Sequence, residues 1–168
     1  APLNRGSHRQ RFNQLQRIEP GPCAVKRLGH AVLRVSDAKR SLDWYCGHFG
    51  FLPSDDFHGG DPDEPIATFL RCDRGELPVD HHTLLCVGPA EPGLEHAAFE
   101  VEDIDALMVG NAHLEQAGYA HHAGVGRHVL GSQVFDYWKD PFGHVLEHFT
   151  DGDLLDASVP PGHHSVSV

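Results

Sequence analysis

The chain has 168 residues, of which 40% are hydrophobic, enough for one globular unit with a core of ordinary size. Its formal net charge of −11 excludes a general nucleic-acid binder, because phosphate backbones demand clustered Lys and Arg. No apolar run approaches the ~20 residues that cross a bilayer, and Cys23, Cys46, Cys72 and Cys86 form no C-x-x-C pair, which argues against a zinc knuckle or disulfide framework and for a reducing, cytoplasmic setting.

Residues 1–25 carry Arg5, Arg9, Arg11 and Arg17 against the single acid Glu19, and read as a basic arm or linker. The segment LGHAVLRVSDAKRSL, which begins at Leu28, returns 66 residues later as LEHAAFEVEDIDALM, pairing His30 with His96, Leu33 with Phe99, Val35 with Val101 and Asp37 with Asp103.

Each copy opens with an alternating strand. Ala31, Leu33 and Val35 share one face and His30 and Val32 the other; in the second copy Ala97, Phe99 and Val101 oppose His96 and Ala98. A helix follows, capped near Ser36-Asp37, with Leu42, Tyr45, Cys46 and Phe49 turned inward and Gly50 as its stop. Its counterpart starts near Asp103, turns Ile104, Leu107, Met108 and Leu114 inward and ends before Gly118.

Strands are then expected over 51–57, 67–72 and 82–87, with a flexible polar loop from His58 to Pro65. The second copy offers 119–123, 132–138 and 144–150. The reading is an α+β domain over 26–153, made of two tandem βαβββ modules at about 26–90 and 92–153. A Pro/Gly/Ser-rich tail over 154–168 is expected to be flexible, with His163 and His164 in solvent. Two curved half-sheets related by a repeat can close around a cavity, into which His30 and His96 should point.

Fifteen histidines exceed what packing alone selects, so some should have a task. Glu147 lies in the apolar strand HVLEHFTD, where burying an unpaired carboxylate costs several kcal/mol and calls for a cation or a proton. Two imidazoles and one carboxylate with open positions make the triad that non-heme Fe(II) oxygenases prefer, whereas structural zinc takes four protein ligands. His30, His96 and Glu147 are therefore the candidate metal ligands, for Fe(II) with Mn(II) also compatible. The plainer alternative is two core histidines bonded to carbonyls and a glutamate paired with an arginine.

The segment GRHVLGSQVFDYWKDPFGHVLEH resembles the signature of type I extradiol ring-cleavage dioxygenases of the vicinal oxygen chelate superfamily, carried by Gly126, His128, Tyr137, Asp140, Pro141, Gly143 and Glu147. Asp136 departs from the pattern, which commonly has an apolar residue there, and the departure bears on substrate preference. The resemblance covers about residues 25–153 and looks like the catalytic half of the common two-domain enzymes.

The resemblance implies extradiol (meta) cleavage of a catechol-type ring by Fe(II) and dioxygen, in aromatic hydrocarbon catabolism, with His30, His96 and Glu147 as ligands. It implies His82 as acid–base residue and His128 and Tyr137 as hydrogen-bond partners of the substrate oxygens; self-association into a homo-oligomer is a separate expectation. His81, one step out of register, is the alternative to His82. Phe135, Trp138 and Phe142 are candidate cavity walls. The competing functions are a metal-dependent thiol transferase of the fosfomycin-resistance type, a glyoxalase-like isomerase, which usually needs a fourth ligand, and a non-catalytic ligand-sequestering protein of the bleomycin-resistance type.

Overall fold

A computed structural model describes residues 3–166. Its elements are β1 (Val25–Arg34), α1 (Ala38–Phe49), β2 (Leu52–His58), β3 (Pro65–Arg71), β4 (Val79–Asp80), β5 (Leu84–Val87), β6 (Gly93–Val101), α2 (Ile104–Gln116), β7 (Ala120–Arg127), β8 (Val134–Lys139), β9 (Val145–Thr150), β10 (Leu154–Leu155) and β11 (Gly162–Ser165). No helix among the described residues is long and apolar enough to cross a membrane.

Both helices start where side-chain chemistry provides a cap. Asp37 accepts from the Arg40 N–H at 2.8 Å and Asp103 from the Ala106 N–H at 2.9 Å, each satisfying a donor with no intrahelical partner. Gly50 ends α1 in the left-handed region at φ 67°, which a side chain would strain.

One nine-stranded sheet runs in the order β11-β2-β3-β5-β1-β6-β9-β8-β7. The repeat is visible in that order. In each half the first strand lies parallel to the last, β1 to β5 and β6 to β9, and the two middle strands extend outward. Antiparallel pairing of β1 with β6 joins the halves, setting His30 opposite Ala98 and Val32 opposite His96. The two repeat-related histidines thus stand on neighbouring strands and on the same face.

The opposite face packs under the helices. Leu70, Leu84 and Cys86 form one core with Leu33, Val35, Leu42, Tyr45 and Cys46; Val101, Leu107 and Val134 form the other. Burying a side chain such as Leu70 or Leu107, both fully covered, contributes roughly 1.5–3 kcal/mol. The helical stripes are narrower than expected: Phe49, Ile104 and Met108 are exposed. Phe49 stacks beside Phe51 and Tyr45 at the open end of α1 instead of entering the core.

Within the segment expected to be flexible, residues 154–155 and 162–165 form strands. β10 pairs with β4, and β11 adds in parallel to the open edge of β2. His163 and His164 face carboxylates, Nδ1 of His163 lying 2.6 Å from Asp56 Oδ2 and Nε2 of His164 lying 2.7 Å from Asp55 Oδ1. Arg71 also donates to the Val159 carbonyl at 2.7 Å. Composition cannot reveal such pairing, because an edge strand is recruited through backbone N–H and C=O groups that any sequence carries.

Candidate functional site

His30 on β1, His96 on β6 and Glu147 on β9 come from adjacent strands, and one ligand atom from each lies within 4.8 Å of the others. Glu147 is fully buried, with Oε2 at 3.1 Å from His30 Nε2 and 3.3 Å from His96 Nε2. Among the described residues, no arginine pairs with it. Burial raises the Glu147 carboxyl, but contacts from His128, His30 and His96 outweigh that and hold it far below the usual carboxylate range. The carboxylate is therefore ionised in a dry place.

The donor set fits a divalent cation. Glu147 Oε1 and His96 Nε2 are both buried without a well-oriented hydrogen bond, although His96 Nε2 is close to Oε2. Aligned but unsatisfied acceptors around a buried negative charge are what a metal ion would complete. Three protein ligands leave coordination positions open, as a catalytic centre requires.

Gly29 matters to this arrangement. A Cβ there would sit 2.3 Å from the Phe149 ring, and that ring lies 5.1 Å, centroid to centroid, from His30. The missing side chain lets Phe149 back His30 directly.

The cavity in front of the cluster measures about 240 Å³ and is lined by His30, His96, His82, His128 and Tyr137, with Val32, Phe57, Phe69 and Leu85 supplying apolar wall. Val129 and Leu130 complete its rim. A larger hollow of about 560 Å³ lies elsewhere, among Arg27, Asp80 and Asp153, and contains none of these ligands.

His82 is buried against His30, with ring centroids 4.1 Å apart, and sits in the bend just before β5 rather than within a strand. Burial first, then the neighbouring His30 and His81, push its pKa well below the usual histidine range, so the ring is neutral near pH 7. His81 is equally buried but turns to Asp55, with Nε2 at 2.6 Å from Oδ2, and does not line the cavity.

His128 and Tyr137 meet at the opposite wall, where His128 Nε2 lies 2.9 Å from the Tyr137 hydroxyl. Tyr137 is paired with Glu147 across β8 and β9, and burial, helped by that carboxylate, raises its phenol. It stays protonated and able to donate. His128 stacks on Phe135 with centroids 4.1 Å apart.

The expected cavity walls need correction. Phe135 backs His128, but Trp138 points to the helix side and Phe142 is exposed in the turn before β9. Strand parity separates them: Val134, Asp136 and Trp138 are buried on one face of β8, and Phe135 and Tyr137 occupy the other. Asp136 is on the same helix side, fully buried, bonded by Asn111 and His121 and by Trp138 Nε1 at 2.5 Å. Its departure from the family pattern is thus a matter of packing. The walls that sequence reading missed, Phe57 and Phe69, lie on β2 and β3, and only the pairing of these strands brings them to the site.

Two βαβββ halves joined edge to edge, with a two-His, one-Glu cluster inside, define a metal-binding domain of the vicinal oxygen chelate kind. The chain belongs to the Glyoxalase/Bleomycin resistance protein/Dioxygenase superfamily, whose pattern matches residues 27–148. It is 34% identical over 145 residues to metapyrocatechase 2 of Cupriavidus necator, covering 86% of this chain and 41% of that protein. The chain therefore spans less than half of that relative's length.

Among solved structures, it resembles the Mn(II)-bound glyoxalase from Novosphingobium aromaticivorans, at 26% identity and a TM-score of 0.72 over 84% of this chain and 43% of the other. It also shares the fold of the 2,3-dioxygenase LapB from Pseudomonas sp. KL28, with 19% identity and a TM-score of 0.74 over 84% of this chain and 48% of that one.

Proposed function

We propose that this domain catalyses extradiol cleavage of a catechol-type ring by dioxygen, with Fe(II) held by His30, His96 and Glu147. The observation that carries the reading is the meeting of this ligand set with His82, His128 and Tyr137 around one cavity. The similarity to a metapyrocatechase supports it. Mn(II) fits the same ligands and is the metal named for the glyoxalase relative.

The bound metal would supply a site where the diol oxygens and dioxygen sit side by side and exchange electrons. Everything else falls to side chains. His82, neutral and facing the cavity, takes a proton from a diol hydroxyl and returns it as the ring opens. Tyr137 donates a hydrogen bond to a substrate oxygen, and His128, on the other side of that hydroxyl, orients it. Phe57, Phe69, Val32 and Leu85 flank the ring and limit water. Both atoms of dioxygen enter the product as the carbon–carbon bond beside the diol breaks.

The cavity is slightly smaller than the ~300–1,000 Å³ usual for drug-sized ligands, which suits a single ring. The four free cysteines are compatible with a reducing cytoplasm, and self-association is part of the same reading.

The test is anaerobic loading with Fe(II), addition of catechol and 2,3-dihydroxybiphenyl, and admission of oxygen while uptake and the visible spectrum are recorded. Stoichiometric uptake with a yellow ring-opened product, lost in Glu147→Ala, is expected. An iron-loaded protein that consumes no oxygen would instead favour an isomerase, a thiol transferase or a ligand-sequestering protein.

A further inference from the structure

We propose that Asp55 and His81 are positioning residues that fix the tautomer of His82, and that strand β11 completes this relay through His164. The chain of contacts is continuous. His164 Nε2 lies 2.7 Å from Asp55 Oδ1, Asp55 Oδ2 lies 2.6 Å from His81 Nε2, and His81 Nδ1 lies 3.0 Å from His82 Nδ1.

Proton counting gives the arrangement its direction. A carboxylate only accepts, so both imidazoles on Asp55 present N–H groups to it, and His81 carries its proton on Nε2. A neutral His81 then offers a lone pair at Nδ1. Two ring nitrogens 3.0 Å apart must be one donor and one acceptor, so His82 donates from Nδ1. Its Nε2 is left bare, the form a base needs toward the cavity.

The opposite polarity would require an imidazolium at His81. That would bury a positive charge, only 3% exposed, against the His82 ring, which itself lies 4.1 Å from His30, while Asp55 already shares its charge with His164. Gln133 Nε2 also faces His82 Nδ1, but at 3.5 Å it is too long to compete with the contact at 3.0 Å.

The backbone holds the pair rigidly. Ser54 Oγ donates to the His81 carbonyl at 2.6 Å, the His81 N–H donates to the Asp153 carbonyl at 2.9 Å, and Arg71 donates to Ser54 Oγ at 2.9 Å. A ring on so fixed a backbone is oriented by its side-chain partner. The catalytic meaning of the relay rests on the acid–base role proposed for His82, whereas the tautomer itself does not.

The experiment uses uniformly ¹⁵N-labelled, metal-free full chain at pH 8. Long-range ¹H–¹⁵N correlations of the imidazoles are recorded, with His82 assigned by loss of its signals in His82→Gln. The expected spectrum shows His82 protonated at Nδ1 and unprotonated at Nε2. Asp55→Asn should give a mixture of tautomers and, in the Fe(II)-loaded enzyme, a fall in kcat of roughly 10- to 100-fold with KM for catechol changed by less than about twofold. Asp55→Glu should recover part of the rate.

His82 protonated at Nε2 in the wild-type chain would overturn the proposal, as would a folded Asp55→Asn with an unchanged His82 pattern. The wild-type spectrum decides even where a variant fails to fold. Expected tautomers in a loaded enzyme that cleaves no catechol would sink the dioxygenase reading and leave the relay standing. An active enzyme with the opposite tautomer would do the reverse.

Discussion

Glu147 Oε2 lies 3.1 Å from His30 Nε2, although 117 residues separate the two in the chain. The contact crosses from β9 over β6 to β1, so Glu147 meets His30 only when both halves of the repeat have paired. A metal held by these three residues would therefore couple its binding to closure of the two halves.

Binding of Fe(II) or Mn(II) should raise thermal stability, by about 2.7 kcal/mol when free metal stands at a hundred times its dissociation constant. His96→Ala and Glu147→Gln should each weaken binding by more than the roughly 10- to 100-fold typical of losing an outer partner. Anaerobic calorimetric titration with metal analysis checks both.

Gly29→Ala should disturb the site from behind. The new methyl group meets the buried Phe149 ring at 2.3 Å, and the ring has little room to retreat. A loss of about 1–3 kcal/mol in urea unfolding is expected, together with weaker metal binding through displaced His30. Unaltered metal affinity would show that Phe149 yields in another direction.

Tyr137→Phe removes the hydroxyl that meets His128 Nε2 at 2.9 Å while keeping the ring. Stability should change by no more than about 1.5 kcal/mol. The turnover number should fall and metal affinity should hold, which steady-state oxygen uptake and metal titration would separate.

Asp136→Leu should act on stability, through the donors of Asn111, His121 and Trp138 left without their acceptor. A loss of about 3 kcal/mol is expected, most of it from the buried Trp138 N–H left unsatisfied. Because Asp136 points under α2, substrate preference among catechols should remain as in the parent protein, and a panel of substituted catechols tests that.

The Cys86 thiol is fully buried, and burial pushes its pKa up to about 11. It should be the last of the four cysteines to react with iodoacetamide in the native protein at pH 8, as peptide mapping would show. The sign of the linked pH effect is fixed: the unfolded chain loses this proton first, so the contribution is intact below about pH 9 and declines as pH rises through about 11. Cys86→Ala should flatten that alkaline decline in unfolding experiments.

The sequence alone determined the repeat, both helix starts and the facing of His30 and His96, because caps and strand alternation are local and are written in residue order. It also singled out Glu147, since a carboxylate in an apolar strand needs a counter-charge wherever the strand lies. Tertiary structure decided what depends on which strands become neighbours. The walls Phe57 and Phe69, the retreat of Trp138 and Asp136 to the helix side, and the docking of residues 162–165 on β2 all follow from pairing across the sheet. Adjacent His81 and His82 parted ways for the same reason: Asp55 on β2 and His164 on β11 captured one ring, and the cavity took the other. Neither partner is near them in sequence, and only the folded sheet brings them into contact.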